Sequence, residues 1–172
     1  MMKTVIPHQP HDFSKWTKER AEQLTFDVDK LEWTTKATWV TLDPVPFANG
    51  TLRHAYFLQD LSPDMEDCEG RPKLLVAKFC IQTTDSSAYL SDVEMQAVCS
   101  HYAALYNEHE PPLKVHYAES WLLKLTDRNN IVCCVEEHLP GVYVKYSNNN
   151  GFVGKETSTT EARERNTPQV SY

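Results

Sequence analysis

Short apolar runs separated by turn-forming residues predict most of the secondary structure. Each run has the length of a strand and is enriched in β-branched and aromatic residues, and it is too short for an ordinary helix. The segments between the runs are polar or contain proline and glycine, which predicts turns. The pattern therefore predicts an antiparallel sheet. The predicted strands are residues 35–42, 52–58, 74–79, 115–125, 131–135 and 142–146.

One long helix is expected after the third of these strands. Across residues 89–107, apolar and small side chains recur along one stripe, and the pattern ends shortly before a proline pair. A second helix is predicted over residues 12–31, because Asp12 can cap it and aromatic residues follow at near-helical offsets. Together with the strands, these helices indicate an α+β fold with one main helix.

The two ends of the chain lack a core-forming pattern. Residues 1–11 are a polar, proline-containing lead that we expect to be mobile, and residues 154–172 are polar and charged, which predicts disorder. Residues 12–34 are assigned to the N-terminal helix and a linker, and residues 35–153 to the folded domain. A chain of 172 residues that is 41% hydrophobic suits one domain with a core better than two.

Composition and charge argue against several classes of partner. A net charge of −7 with a pI of about 5.5 argues against nucleic acid, because phosphate binding favours a basic face. No apolar run is long enough to span a bilayer, and the N-terminus lacks the apolar core of a signal peptide, so we expect no membrane partner and a cytoplasmic location. The five cysteines show no C-x-x-C spacing, which indicates neither a disulfide framework nor a zinc site.

A lysine interrupts the apolar strand predicted at residues 74–79. Lys78 lies in the run LLVAKF, where an isolated ammonium either pairs with an anion or loses its proton. A bound phosphate could supply that anion. The alternative is a lysine on an edge strand whose ammonium reaches water along the side chain.

A glycine turn precedes the strand predicted at residues 52–58. Backbone N–H groups of the turn around Gly50 could face a phosphate, because glycine allows close approach, and Arg53 would add a forked donor. An ordinary hairpin explains the same residues, since the sequence lacks the G-x-G-x-x-G pattern of other nucleotide loops.

The stretch from residue 131 to 151 combines a buried strand with a polar break. Glu136, Glu137 and His138 follow the apolar run directly, and a proline-glycine turn comes next. A strand that stops at a polar hinge exposes backbone groups at the edge of a cleft, where ligands usually bind. A surface hairpin with an asparagine-rich turn is the other interpretation.

Four segments carry the most specific motifs: PFANGTLRHAYF (46–57), LVAKF (75–79), SDVEMQAVCSHYAALYNEHEPP (91–112) and VEEHLPGVYVKYSNNNG (135–151). They fit the patterns P-F-A-x-G-x-x-R, V-A-K, D-V-x-x-Q and V-E-x-x-x-x-G-x-[YF]-x-K-Y, with Ser147 where the last pattern continues with Asn. In this order they resemble the alpha-kinases, the atypical protein kinase family that includes elongation-factor-2 kinase and myosin heavy chain kinase. The resemblance covers most of the chain.

The resemblance implies a protein-kinase-like N-terminal lobe, a twisted antiparallel sheet with one main helix, and ATP as the ligand. In this lobe Lys78 would contact the α- and β-phosphates, and the turn before the second strand would cover them. The backbone at the hinge would bind the adenine edge, and Leu139 would offer an apolar wall. The residues implied to bind ATP are Gly50, Arg53, Lys78, Glu136, Glu137, His138 and Leu139.

The main helix offers a carboxylate of the kind that pairs with the strand lysine in conventional protein kinases. Glu94 lies in the predicted helix. The spacing does not tell whether it points toward Lys78 or toward solvent, so its role stays open.

Motifs of the C-terminal kinase lobe are missing from this sequence. The family carries a D-L-Q-G magnesium strand, a T-D-P aspartate and a zinc site of His and Cys, and none of these occurs here. Phosphoryl transfer needs metal to bridge the phosphates and an aspartate to orient the acceptor hydroxyl. We therefore expect an absent C-terminal lobe and no catalytic or metal-binding residue in this chain, with Mg²⁺ needed only in a complete kinase domain.

Three functional hypotheses follow. The first is the ATP-binding portion of an alpha-type serine/threonine protein kinase, truncated and inactive alone, which acts on a protein substrate. The second is a non-catalytic binding or regulatory module that engages a protein partner. The third is a damaged gene product without a role.

Overall fold

The computed structural model describes residues 3–6, 11–67, 70–82, 86–139 and 141–144. Within these residues the chain forms nine strands, one α-helix and one short 3-10 turn. The chain divides into two compact units, a larger one of residues 10–101 and 117–138, and a smaller one of residues 1–9, 102–116 and 139–172.

The elements follow in chain order as β1 (Lys3–Ile6), β2 (Lys18–Asp27), β3 (Glu32–Leu42), β4 (Ala48–Asn49), β5 (Arg53–Asp60), the 3-10 turn (Pro63–Met65), β6 (Leu74–Cys80), α1 (Ser86–Glu108), β7 (Ser120–Leu125), β8 (Ile131–Glu137) and β9 (Gly141–Val144).

A seven-stranded antiparallel sheet forms the larger unit, in the order β3-β2-β7-β8-β6-β5-β4. Strand β3 also pairs with β5, through Val40↔Asp60, Thr41↔Gln59 and Leu42↔Leu58. The sheet therefore curls until β3 meets β5, and it gains an inner face and an outer face.

The inner face holds the main apolar core. Successive side chains of a strand point to opposite faces, so every second residue of each central strand enters this core. Burial of such side chains is the largest favourable contribution to folding. The buried members are Ala21, Val40, Leu42, Leu58, Leu75, Ala77, Trp121, Leu123, Leu125, Cys133 and Val135.

Helix α1 covers part of the outer face. Its residues Tyr89 and Val93 are buried against Leu122 and Cys134, and this forms a second apolar core. The helix predicted over residues 89–107 is confirmed, with small extensions at both ends. In the part of the chain that the structure describes, no helix combines the length and the apolar character that crossing a bilayer requires.

The helix predicted over residues 12–31 is wrong. Residues Lys18–Asp27 form strand β2, which pairs along its whole length with β3 and near its middle with β7. Side chains alternate as in any strand, so that Ala21 enters the inner core and Phe26 packs at the outer one. The residues KERAEQ favour a helix in isolation, but two strand partners override that preference.

The remaining predictions differ from the structure mainly in where elements begin and end. The strand expected at residues 115–125 is shortened to β7, and residues 115–119 lack regular secondary structure. The lead expected to be mobile contains β1, whose backbone pairs with β9. The tail predicted to be disordered, residues 154–172, lies outside the described residues.

The smaller unit contains a two-stranded antiparallel sheet of β1 and β9, paired from Lys3↔Val144 to Ile6↔Gly141. It also contains the end of α1, where the Asn107 side chain pairs with the backbone of Val115. Asn107 Nδ2 donates to the Val115 carbonyl at 2.7 Å, and Asn107 Oδ1 accepts from the Val115 N–H at 2.9 Å. These bonds satisfy backbone groups just beyond the helix.

A buried carboxylate ties the curled sheet together where β3 meets β5. Asp60 is 1% exposed, and its Oδ1 accepts hydrogen bonds from Thr38 Oγ1 at 2.6 Å, from Ser62 N at 2.9 Å and from Ser62 Oγ at 2.7 Å. Because Thr38 lies on β3 and Asp60 on β5, one of these bonds crosses the junction. Buried donors that lose their acceptor destabilise a fold, so this carboxylate stabilises the junction that backbone pairing of β3 and β5 forms.

Replacing Asp60 should destabilise the fold. In Asp60→Ala the donors of Thr38 and Ser62 are left buried and unpaired, and the free energy of unfolding should fall by about 2–4 kcal/mol. Asp64→Ala, which removes the exposed partner of Lys36, is the control and should cost less than about 1 kcal/mol. Denaturant unfolding followed by circular dichroism measures both, and equal small losses would contradict the role of Asp60.

Candidate functional site

Lys78 and Glu136 form an ion pair on the outer face of the sheet. Lys78 Nζ lies 2.5 Å from Glu136 Oε1, and the two side chains are 27% and 23% exposed. The register pairs Lys78 with Cys134 and Val76 with Glu136, so both charged residues are on one face, two positions apart. Strand β6 lies between β5 and β8, which rules out the edge-strand alternative for this lysine.

Arg53 lies on the same face, on the neighbouring strand. The register places Arg53 opposite Cys80, two residues beyond Lys78. The Arg53 guanidinium donates from Nη2 to Asp92 Oδ2 on helix α1. Partial burial of Arg53 opposes its charged form, but the hydrogen bond to Asp92 and the electrostatic interactions with Asp92 and the neighbouring cysteines together raise the pKa of the guanidinium above its usual value. Arg53 is therefore a second fixed cation beside Lys78.

The uncharged side chains of Tyr89 and Cys134 lie next to the two cations. The Arg53 guanidinium carbon lies 5.7 Å from the centroid of the Tyr89 ring, and the Tyr89 hydroxyl accepts a hydrogen bond from Cys80 N at 2.7 Å. Burial raises the pKa of the Cys134 thiol to about 12, against the opposing effect of Arg53. The thiol is neutral at physiological pH, so it does not offset the positive charge of this face.

The turn around Gly50 is closed by its own backbone. The Gly50 N–H donates to the Arg53 carbonyl at 2.8 Å. We expected this N–H to face a phosphate, but it is used within the turn. A Cβ at Gly50 would lie 3.2 Å from that same oxygen, which is a tight contact. Glycine is favoured here because the two strands approach closely, and the structure assigns Gly50 to the shape of the turn.

The end of β8 positions the predicted hinge residues. Glu136 and Glu137 are its last two residues, and the His138 N–H donates to the Leu74 carbonyl at 3.1 Å, so that donor is used within the sheet. Neighbouring residues of a strand direct their backbone groups to opposite sides. The groups of Glu137 therefore face away from β6, on the side where pairing with β7 ends at Ser120↔Glu136.

Leu139 belongs to the smaller unit and is 59% exposed. Its place as an apolar wall for a ligand stays a prediction. The asparagine-rich segment that follows, residues 145–151, lies outside the described residues.

An aromatic group that we did not predict lies on the outer face. Phe57 is opposite Val76 in the register, and therefore on the face that carries Lys78. Phe47 stacks on Phe57 with ring centroids 4.0 Å apart and an angle of 12° between the planes, and the ring of His138 is 5.8 Å from Phe57. The alternation of side chains along the predicted strand at residues 52–58 indicated that Phe57 and Arg53 share a face. Only the register with β6 shows that this is the face of Lys78.

Helix α1 contributes Asp92 to this face, and Glu94 points elsewhere. Asp92 binds Arg53, whereas Glu94 Oε1 accepts a hydrogen bond from Trp33 Nε1 on β3 at 3.0 Å. The glutamate next to Lys78 comes from β8. Asp92 is the aspartate of the D-V-x-x-Q motif, which was the available signal for it.

The arrangement suits a polyanion. Lys78 and Arg53 present an ammonium and a guanidinium on adjacent strands, and both groups form strong charge-assisted hydrogen bonds with phosphate oxygens. Among the residues that the structure describes, no group of three or more His, Cys, Asp or Glu side chains could hold a metal ion.

Comparison with known proteins gives a consistent family. The sequence profile of the Alpha-kinase family matches residues 48–169. Myosin heavy chain kinase B of Dictyostelium discoideum is 37% identical over 155 residues, which are 88% of this chain and 20% of that protein. Eukaryotic elongation factor 2 kinase of Homo sapiens is 28% identical over 137 residues, 78% of this chain and 19% of that protein. The chain thus spans about a fifth of the length of these curated relatives.

Solved structures share the fold. The alpha-kinase domain of myosin-II heavy chain kinase A in complex with AMP-PNP matches with a TM-score of 0.72 at 26% identity, over 90% of this chain and 74% of that chain. The ADP complex of the domain matches with a TM-score of 0.72 at 27% identity, over 90% of this chain and 73% of that chain. The predicted fold, a mostly antiparallel sheet with one helix as in the N-terminal lobe of these domains, is confirmed.

Lys78 and Glu136 should be energetically coupled. A double-mutant cycle of Lys78→Met and Glu136→Gln should give a coupling energy of about 1–3 kcal/mol, because the pair is largely buried. The same cycle for Lys124→Met and Glu22→Gln, a more exposed strand pair, should give less than about 1 kcal/mol. Denaturant unfolding of the variants measures both energies. A Lys78–Glu136 coupling no larger than the control would contradict the prediction.

Proposed function

We propose, because this chain belongs to the alpha-kinase family, that its outer sheet face binds ATP as the phosphoryl donor of a serine/threonine protein kinase. The observation that carries the proposal is the ion pair of Lys78 and Glu136 with Arg53 on the adjacent strand. Two further facts support it: relatives are named as kinases, and matching structures are named as complexes with AMP-PNP, ATP and ADP.

Lys78 is the proposed contact for the α- and β-phosphates. Its ammonium carries three donors, so the bond to Glu136 at 2.5 Å is compatible with a phosphate contact. Glu136 orients the ammonium on the outer face before the nucleotide arrives. In conventional protein kinases a strand lysine has the role proposed here for Lys78, which is to bind the phosphates of ATP.

Arg53 is the proposed second phosphate contact. A guanidinium presents five donors in a planar fork, and the bond to Asp92 uses one of its amino groups. Arg53 and Lys78 are on adjacent strands and on one face, so a triphosphate that lies across β5 and β6 can meet both cations. Gly50 contributes by letting the preceding turn approach Arg53 closely.

The adenine is proposed to lie at the end of β8. The backbone groups of Glu137 face the side where strand pairing ends, so they are the favoured contacts for the adenine edge. The stacked rings of Phe47 and Phe57 lie nearby on the outer face, and an aromatic ring can pack against a purine. Contacts from His138 and Leu139 remain part of the proposal.

Transfer of the γ-phosphate is proposed to need residues that this sequence does not contain. Phosphoryl transfer depends on metal that bridges the phosphates and on a group that orients the acceptor hydroxyl. Neither D-L-Q-G nor T-D-P occurs in the 172 residues. We therefore infer that Mg²⁺ acts in a complete kinase domain, and that this chain alone binds ATP without transferring phosphate.

A non-catalytic binding module is the second candidate function. The same missing motifs favour it, since a lobe that transfers nothing can still present its surface to a protein partner. A protein substrate or partner, a cytoplasmic location, and the absence of nucleic acid and membrane partners remain predictions that rest on family and charge.

Isothermal titration with ATP tests the nucleotide site. Lys78→Met should weaken ATP binding by about 10- to 100-fold, because charge-assisted bonds to phosphate are lost. Adenosine, which has no phosphate, should bind both proteins equally. Lys124→Met removes another strand lysine that is paired with a glutamate, and this matched control should bind ATP like wild type. Equal ATP affinities for wild type and Lys78→Met, or no binding by wild type, would overturn the proposal.

A phosphotransfer assay tests whether the chain alone transfers phosphate, which neither candidate function predicts. With γ-labelled ATP, Mg²⁺ and a basic protein substrate, the purified chain should incorporate no label above a reaction without it, because the transfer residues are missing. Filter binding of the same labelled ATP is the control for a functional nucleotide site. Turnover by the purified chain would mean that other residues perform the transfer step.

A further inference from the structure

Two carboxylates of helix α1 contact different strands of the sheet. Asp92 binds Arg53 on β5, and Glu94 Oε1 accepts from Trp33 Nε1 on β3 at 3.0 Å. Residues two positions apart on a helix are separated by about 200° around its axis, so these contacts hold the helix from opposite flanks. A rotation of the helix that breaks one contact therefore changes the other.

Trp33 is held in place by the hairpin of β2 and β3. Its ring lies 5.4 Å from the ring of Phe26, and both border the apolar core beneath α1. The indole N–H is partly buried, so it depends on Glu94 for its hydrogen bond. Asp29 Oδ1, in the turn of the same hairpin, lies 3.9 Å from Nδ1 of His101, which is about two helical turns beyond Glu94. The hairpin thus contacts the helix at two levels.

The helix forms an ion pair with a different cation here from the one it pairs with in conventional protein kinases. There the helix carries the glutamate that pairs with the strand lysine. In this chain Lys78 pairs with Glu136 of β8, whereas the helix supplies Asp92 to Arg53. The position of α1 therefore bears on Arg53 more directly than on Lys78.

We propose that Trp33 and Glu94 are positioning residues that hold Asp92 against Arg53 through helix α1 and thereby set the affinity for the phosphates of a nucleoside triphosphate. The inference rests on the proposed ATP site. It adds to that site a hairpin that ends at Leu42, ahead of the family match, which begins at residue 48. Neither residue touches the nucleotide, so their loss should weaken phosphate binding and leave adenosine binding intact.

Titration of Trp33→Phe with ATP and with adenosine tests the proposal. Phenylalanine keeps the aromatic contact with Phe26 and removes the N–H donor, so ATP affinity should fall by about 3- to 10-fold. Adenosine affinity should not change. Trp39→Phe is the matched control, because Trp39 lies on the same strand and is 52% exposed, and it should bind ATP like wild type.

Variants of Glu94 supply an independent test on the helix itself. Glu94→Gln keeps an oxygen that accepts from the indole, so its ATP affinity should stay close to wild type. Glu94→Met has a similar length without an acceptor, and its loss should equal that of Trp33→Phe. The double variant Trp33→Phe/Glu94→Met should lose no more than either single variant, because both break the same contact.

Thermal unfolding checks that each variant is folded, and the Glu94 series carries the test if Trp33→Phe is not. Equal losses of ATP and adenosine affinity would indicate a merely structural role and overturn the proposal. Unchanged ATP affinity in Trp33→Phe and Glu94→Met, with wild type binding ATP, would also overturn it and leave the ATP site standing. Wild type that binds no nucleotide would remove the ATP site and this inference together.

Discussion

A lysine inside a sheet needs an anion, and the pairing of Lys78 with Glu136 is the constraint on which this site depends. The Lys78 side chain is 27% exposed, and an unpaired charge becomes less favourable as burial increases. The register of β6 and β8 brings the two residues onto neighbouring strands and the same face, within reach of each other's side chains. The charged pair therefore depends on the sheet, in which β3 and β5 are joined by backbone pairing and by the hydrogen bond between Thr38 and Asp60.

Alternation along the strands separates the core from the charged face. In β8, Val135 is fully buried in the inner core, and the next residue, Glu136, carries the charge on the outer face. In β6, Ala77 and Lys78 divide in the same way. A slip of one residue would bury both charges and expose both apolar side chains. Burial of the core thus enforces the register that brings the ion pair together.

Features with a local signal could be predicted from the sequence, and features that depend on register could not. Lys78 stands out because it interrupts an apolar run, and the motif segments around it gave the fold. Strand β2 was mispredicted because its residues favour a helix locally, while its partner β7 lies far along the chain. The contact of Arg53 with Asp92 joins residues that are close only in the folded protein. The face on which Phe57 lies likewise follows from the register of β5 and β6. The roles expected for the hinge residues stay predictions.

In the proposed site, the cations have supports of different kinds, and this difference has a physical consequence. The backbone of Glu136 is paired with strands on both sides, whereas Asp92 belongs to helix α1. None of the groups proposed to contact adenosine lies on α1, but the phosphates would meet both cations. A change in helix position therefore alters discrimination between ATP and adenosine more than it alters binding of the base. Because the β2–β3 hairpin contacts the helix through Trp33, an event at that hairpin can reach the phosphates without touching the nucleotide.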